Sequence, residues 1–349
     1  MGGLHLIRLL QFTDGEQWIA RIQLDASTQE SAARLRSEIG TMDLIRERST
    51  IPVPKVYGYE LFDNNSHGTG VAFMLIECFS GNAAMDLDGG YETHRGNILP
   101  ERKPDFFRAM AEIQVELATI RLPKIGTIIR RDDGSYDVGP IPILGGPFDS
   151  SADFFRAWGT LTKFPMSETD IKQRTGGGKL SDKINTTISM FPSQIKSKAS
   201  QLAIYDGPFP IHHPDLYHSN VIVDNDYRIL GIIDWEGACT VPWELIELPL
   251  FLSTVPRPMD AAWNYDANGE PKQAETKQRW HDRAWYVSLV EEAENLHGSV
   301  MDCQLSKILR DEKLQHLAFS LRQYQEGKLG FYSSILLLFN VNREERHSN

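Results

Sequence analysis

The strongest constraint in this chain of 349 residues is a stretch in which two short apolar runs are bracketed by oxygen-bearing side chains. The first run reads Ile211-His212-His213-Pro214-Asp215-Leu216-Tyr217-His218-Ser219-Asn220-Val221-Ile222-Val223. After Asp224-Asn225-Asp226-Tyr227 comes the second, Ile229-Leu230-Gly231-Ile232-Ile233-Asp234-Trp235-Glu236. β-Branched runs on either side of a polar turn predict an antiparallel hairpin. Such a hairpin sets Asn220, where the first strand begins, beside Asp234, where the second ends. An amide oxygen and a carboxylate are the hard donors that Mg2+ prefers, with water and phosphate oxygens completing its shell.

The rest of the chain divides in two. His5 to Phe12 and Gln17 to Leu24 read as strands, joined through Asp14-Gly15, a strong hairpin signal. Ser27 to Arg48 carries Leu35, Ile39, Met42 and Ile45 at helical spacing, and Ile51-Pro52-Val53-Pro54 must end that helix. Lys55 to Leu61 and Val71 to Cys78 are strand candidates around a polar loop, Asp63 to Thr69. Beyond a hinge at Phe79-Ser80-Gly81-Asn82 the pattern is mostly helical, over Pro104 to Ile120, Ser151 to Phe164, Trp280 to Leu296 and Asp311 to Gln325. A hairpin is expected over Gly126 to Asp137, surface loops over Thr254 to Gln273 and Arg174 to Leu180, and a frayed end from Asn342.

His213-x-Asp215-x-x-x-x-Asn220 has the spacing of a kinase catalytic loop, in which the Asp accepts the proton of the substrate hydroxyl and the Asn holds magnesium. Asp234 then takes the place of the metal-binding Asp that follows such a loop. With these two motifs the chain resembles the aminoglycoside phosphotransferase and choline-kinase-like family, especially its fungal members. That family typically reads His-x-Asp-Leu-x-x-x-Asn and then Gly-x-Ile-Asp-Trp-Glu, matched here by His213 to Asn220 and Gly231 to Glu236. Trp18-Ile19-Ala20-Arg21-Ile22 resembles the strand that bears the phosphate-contacting basic residue. Ser37-Glu38-Ile39 through Val56 resembles the family's helix and its exit.

The resemblance implies an α+β, bilobal protein-kinase-like fold, with a small β-rich N-terminal nucleotide-binding lobe (1–78) and a larger, mainly helical catalytic and substrate lobe (79–349). It implies ATP and Mg2+ as cofactors and transfer of the γ-phosphate to a hydroxyl of a small molecule. Asp215 would be catalytic, Asn220 and Asp234 would hold the metal, and Arg21 positioned by Glu38 would steady the α and β phosphates. Adenine would bind the backbone at Glu77, Cys78 and Phe79. Three departures stand out. Arg21 replaces the usual lysine, keeping the charge on a planar fork. The chain starts where the family finishes its first strand and glycine loop, leaving only Gly2 and Gly3. Pro242 to Glu247 offers Glu where an Asp is frequent. The late start motivates a rival reading, a pseudokinase or scaffold of the same fold.

Plainer roles compete for each residue. Asp215 could cap a turn, Asp234 could end a strand, and Arg21 with Glu38 could be a surface ion pair. His213 is expected to be structural, and a zinc cluster with His212 and His218 lacks a fourth ligand at a known spacing. Arg174 to Lys179 and Gly68-Thr69-Gly70 lack the pattern of a phosphate or dinucleotide loop. A tryptophan among Trp158, Trp243, Trp263, Trp280 and Trp285 could line a cleft, although packing is the commoner fate.

Composition narrows the partners. A net charge of -11 argues against nucleic acid. Cys78, Cys239 and Cys303, three widely spaced cysteines, suggest neither disulfides nor a thiolate site. No apolar run is long enough for a membrane span, and with no signal-peptide pattern the expected location is cytoplasmic. Asn64-Asn65-Ser66 and Asn185-Thr186-Thr187 match the glycosylation pattern but carry no weight without a secretory signal. Nothing in the sequence sets the oligomeric state or names the acceptor.

Overall fold

The computed structural model describes residues 5–24, 27–61, 71–296 and 304–340. Gly2, Gly3, Asp63 to Thr69, the Gly68 to Gly70 turn, Asn64 to Ser66, Cys303 and the tail from Asn342 lie outside them. The class is mixed helix and sheet, as expected. The chain forms two compact units: Met1–Leu122 with Gly126–Pro142 and Pro210–Thr240, and Pro123–Ile125 with Ile143–Phe209 and Val241–Asn349. This is a different division from the lobes named above, whose boundary after Cys78 falls inside the first unit.

In the first unit, β1 (His5–Gln11) and β2 (Gln17–Gln23) form the expected hairpin, pairing Leu10 with Trp18 and Arg8 with Ala20. Its turn depends on Gly15, whose φ of 93° suits glycine. Helix α1 (Gln29–Arg48) starts two residues after Ser27, because Thr28 and Ser31 form a reciprocal capping box that leaves Ser27 outside. The helix buries Ile39, Met42, Leu44 and Ile45 and stops before Pro52. β3 (Val56–Glu60) and β4 (Phe73–Glu77) complete a four-stranded antiparallel sheet in the order β1-β2-β4-β3.

Past the hinge, β5 (Asn82–Ala83) is followed by short α2 (Gly90–His94) and by α3 (Lys103–Thr119), which matches the expected span within a residue. Five strands form a second sheet in the order β6-β9-β12-β7-β8: β6 (Arg121–Leu122), β7 (Gly126–Arg130), β8 (Tyr136–Gly139), β9 (Phe209–His212) and β12 (Cys239–Thr240). β7 and β8 are the expected hairpin. The constraining hairpin is β10 (Val221–Val223) with β11 (Ile229–Ile232), Val221 opposite Ile232. β5 pairs on its other edge, Ala83 opposite Ile222, so residues just after the hinge join the sheet that carries the motif.

The second unit is helical: α4 (Ser151–Leu161), α5 (Glu168–Thr175), α6 (Gly178–Leu202), α7 (Ala274–Leu296), α8 (Gln304–Arg310), α9 (Glu312–Gln325) and α10 (Ser333–Leu336). Its core is aromatic, with Trp158, Phe191, Tyr324 and Tyr332 at centroid distances of 5.1–5.8 Å. Gly159 lets α4 lie against α6, since a Cβ there would come within 2.4 Å of the Pro192 carbonyl.

Two expectations need correction. Arg174 to Leu180 is not a loop: only Gly176 and Gly177 stand between α5 and α6, both at positive φ, and they act as a joint that stops one helix and starts the next. α6 itself went unpredicted, although Ile184, Ile188, Phe191 and Ile195 recur at spacings of three and four and are buried. Polar Thr, Ser and Lys residues and the internal Pro192 obscured that stripe. α7 also begins six residues before Trp280, through a polar first turn and a half whose apolar signal is weak.

Candidate active site

The site lies wholly within the first unit and is assembled around one imidazole. Buried His213 accepts a hydrogen bond at Nδ1 from the backbone N–H of Asp215, 3.1 Å away. Its Nε2 therefore carries the proton and donates it to the carbonyl of Ile233 at 3.0 Å. Burial pushes the pKa of this ring below the usual histidine value, keeping it neutral, and Trp235 packs against it edge-on at 4.6 Å. One ring thus ties the loop that carries Asp215 to the strand end that precedes Asp234. This is a structural role, as the sequence suggested.

Asp215 is exposed, while Asn220 is nearly buried. The Asn220 Nδ2 donates to the Asp215 carbonyl at 2.8 Å and to Asp215 Oδ2 at 2.9 Å. Because a carbonyl can only accept, the amide orientation follows, and Asn220 Oδ1 is the oxygen that remains for another partner. The Ile233 N–H donates to the Asn220 carbonyl at 2.9 Å, continuing the hairpin one step past its strands and bringing Asp234 next to Asn220 in the chain path. Asp234 has a φ of 64°, in the left-handed region that aspartate tolerates better than most residues. Hydrogen bonds on either side hold that geometry: Ile233 N–H to Asn220, and Trp235 Nε1–H to the Ile232 carbonyl at 2.9 Å.

Arg21, on β2, is shared among three carboxylates. It donates from Nη1 to Glu38 on α1, and from Nη2 to Asp234 at 3.1 Å and Glu236 at 2.7 Å. Glu38 is 4% exposed, and burial drives its carboxyl up to about 7 even though Arg21 pulls the other way. Burial also works against the Arg21 charge, but the three carboxylates outweigh it and raise that pKa. His5 lies 3.9 Å from Glu236. Arg21, Glu38, Glu236 and His5 line a cavity of about 250 Å3 together with Gln23, Arg34 and Met74, and Asp234 lies outside that lining. Glu236 and His5 were not singled out from the sequence, although Glu236 sits two positions after Asp234 in the quoted motif.

The hinge residues have other engagements. The Glu77 N–H donates to the Lys55 carbonyl at 2.9 Å, and its carboxylate accepts from the Lys55 N–H at 3.0 Å. Burial raises the Cys78 thiol pKa. The Phe79 carbonyl accepts from the Gly81 N–H at 2.9 Å, and its ring covers Gly231 so closely that a Cβ there would stand 2.1 Å away.

The donor set suits a magnesium ion: Asn220 Oδ1 and the Asp234 carboxylate are hard oxygens, and the carboxylates around Arg21 outnumber its single positive charge. Among the described residues no three His, Cys, Asp or Glu side chains converge as a metal cluster. In the second unit Glu244 is fully buried, accepting from Ser151 Oγ at 3.0 Å and the Tyr205 N–H at 2.7 Å. That glutamate secures local backbone.

No family model matches the chain. It is 22% identical over 302 residues to a subtelomeric hrmA-associated cluster protein of Aspergillus fumigatus, covering 69% of this chain and 57% of that one. It is 22% identical over 311 residues to altered inheritance of mitochondria protein 9, mitochondrial, of Saccharomyces cerevisiae, covering 72% and 49%. The chain thus spans about half the length of the curated relatives it matches. Among solved structures it resembles macrolide 2'-phosphotransferase type I, at 14% identity and a TM-score of 0.46 over 98% of this chain and 89% of that one. The solved structures it resembles in this way are small-molecule kinases. Among the described residues no helix is long and apolar enough to cross a membrane.

Proposed function

We propose that this chain is a small-molecule kinase of the aminoglycoside-phosphotransferase type, moving the γ-phosphate of ATP to a hydroxyl acceptor. The observation that carries this reading is the coupling of Asp215 to Asn220, with His213 linking their loop to the Asp234 strand. Mg2+ and ATP, when bound, would supply the charge neutralisation and the transferable group. Asn220 Oδ1 and the Asp234 carboxylate would hold the metal. Asp215 Oδ2 is oriented by Asn220, so its other oxygen, Oδ1, would take the proton of the acceptor hydroxyl as the hydroxyl oxygen bonds to the γ-phosphorus and the bond from that phosphorus to the β-phosphate oxygen breaks, releasing ADP. Adenine is assigned to the backbone at Glu77, Cys78 and Phe79. The acceptor is a small molecule, not nucleic acid, and the location is cytoplasmic. Fractionation of cells expressing the full-length protein tests that location against the mitochondrial name of the yeast relative.

One observation favours the rival pseudokinase reading. Arg21, assigned to the α and β phosphates, spends both terminal nitrogens on carboxylates, one of them Asp234. Nucleotide binding must therefore exchange the Asp234 and Glu236 contacts for phosphate oxygens while Glu38 keeps its hold. Thermal-shift titration with ATP, with and without Mg2+, followed by turnover on amines, sugars and amino alcohols, separates the two. Mg2+-dependent stabilisation with turnover supports the kinase; stabilisation without turnover supports the rival.

A further inference from the structure

The second unit contains a cavity of about 610 Å3, within the size range of small-molecule sites, to which the reading above gives no role. Its walls come from the segment between Thr254 and Glu270 and from α7, α8 and α9. Arg283 projects from α7 and donates to Thr254 Oγ1 at 2.6 Å, with no carboxylate within ion-pair distance among the described residues. Burial lowers its pKa, and the more distant Glu312 and Glu247 only partly compensate. A desolvated guanidinium without a counter-ion is costly, which makes its position informative.

A second guanidinium is held at the rim. Arg257 lies over the Tyr265 ring at 5.6 Å. Its Nη1 would be only 2.1 Å from a Cβ on Gly269, a residue at φ +83°. The loop can accommodate this arginine because residue 269 has no side chain. His316, also lining the cavity, has a buried Nδ1 with no hydrogen-bond partner among the described residues. Trp280 adds an aromatic wall. Two acidic residues line the cavity, Glu270, matched by Lys277 at 3.5 Å, and Glu312, exposed at the start of α9; of the others that act on its cations, Glu247 is paired with Arg322 at 3.0 Å and Asp311 is exposed. Water would satisfy a lone arginine. A second guanidinium held in place beside an aromatic face suits a planar or tetrahedral oxyanion, which arginine forks bind through paired N–H groups.

We propose that this cavity binds a small molecule bearing a carboxylate or a phosphate ester, its oxyanion on Arg283 and Arg257 and a flat apolar part against Trp280. Calorimetric titration of the full chain with phenyl phosphate, benzoate and, as the neutral control, benzyl alcohol tests it. At least one anion should bind while benzyl alcohol does not, and whichever anion binds tighter identifies the phosphate or the carboxylate source. Affinity should drop at least tenfold in Arg283→Met and in Gly269→Ala, which displaces Arg257 without opening the core. If Arg283→Met does not fold by circular dichroism, Gly269→Ala decides. The proposal is overturned if neither anion binds, if benzyl alcohol binds as well as the anions, or if the folded variants bind like the parent chain.

Discussion

Arg21 in the first unit and Arg283 in the second are both largely withdrawn from water, yet their surroundings have opposite sign. Three carboxylates share the Arg21 guanidinium, whereas Arg283 has a threonine hydroxyl and no ion-pair partner among the described residues. The same side chain therefore marks a place with surplus negative charge in one unit and surplus positive charge in the other. An acidic surplus on hard oxygens draws a cation; an uncompensated guanidinium draws an oxyanion. Overall charge, which is negative, describes only the first of these places.

The largest test of that contrast lies at the acidic end. Asp215→Ala should lower kcat for phosphoryl transfer about 100- to 10,000-fold, the usual contribution of a positioned general base. Because Asp215 is exposed, the variant should unfold at nearly the parent temperature. An unchanged rate removes Asp215 from catalysis.

Arg21→Met should cost about 2–3 kcal/mol at pH 8, because it leaves buried Glu38 without its cation. The loss should shrink toward pH 5 as Glu38 takes up a proton, and Mg2+ should restore part of it by replacing the missing positive charge. Urea midpoints with and without Mg2+ measure both effects; a variant as stable as the parent at pH 8 would mean that the cluster holds no net negative surplus.

His316 sharpens the basic side. Its pKa is driven down to about 4 from 6.5, mainly by burial and then by the Arg283 charge. A depressed folded-state pKa contributes stability that is complete above about 6.5 and lost as pH falls toward 4, amounting to about 2–3 kcal/mol. His316→Gln should lose this component, so the stability difference between parent and variant should change between pH 6.5 and 4 and stay level above. A difference that is flat over the whole range would show that burial and the Arg283 charge together do not depress this imidazole.

An effect of the same size and opposite sign with pH is expected at Glu38, whose carboxyl is raised from 4.5 to about 7. The folded chain then holds a proton that the unfolded chain has lost, so stability falls as pH rises from 4.5 to 7 and levels off above. About 2–3 kcal/mol of pH-dependent stability should vanish in Glu38→Gln, read from chemical denaturation at four pH values. An identical slope in the variant would place the titration on another group.

Legibility differed with range. The β1–β2 turn, the α1 stripe and its stop at Pro52, and the β10–β11 hairpin depend on residues within a few positions of one another, and the sequence located them within one or two residues. α6 escaped because its apolar stripe is diluted by Thr, Ser and Lys and interrupted by Pro192, and the glycines before it resemble a loop although they serve as a joint between helices. At the site, the spacing from His213 to Asn220 and the place of Asp234 could be read directly. Glu236 could have been read too, two residues further on, but nothing local indicates that it reaches a strand more than 200 positions earlier in the chain.

By itself the sequence determined the hairpin, the oxygen donors at its end and the pairing of an imidazole with the loop that follows it, because turn chemistry and strand alternation act through neighbouring residues. Tertiary structure alone decided which carboxylates share Arg21, that Glu38 is buried enough to titrate near neutrality, and that Arg283 has no ion-pair partner among the described residues. Desolvation and Coulomb interactions depend on what packs around a group in three dimensions, and segments distant in the chain supply those neighbours.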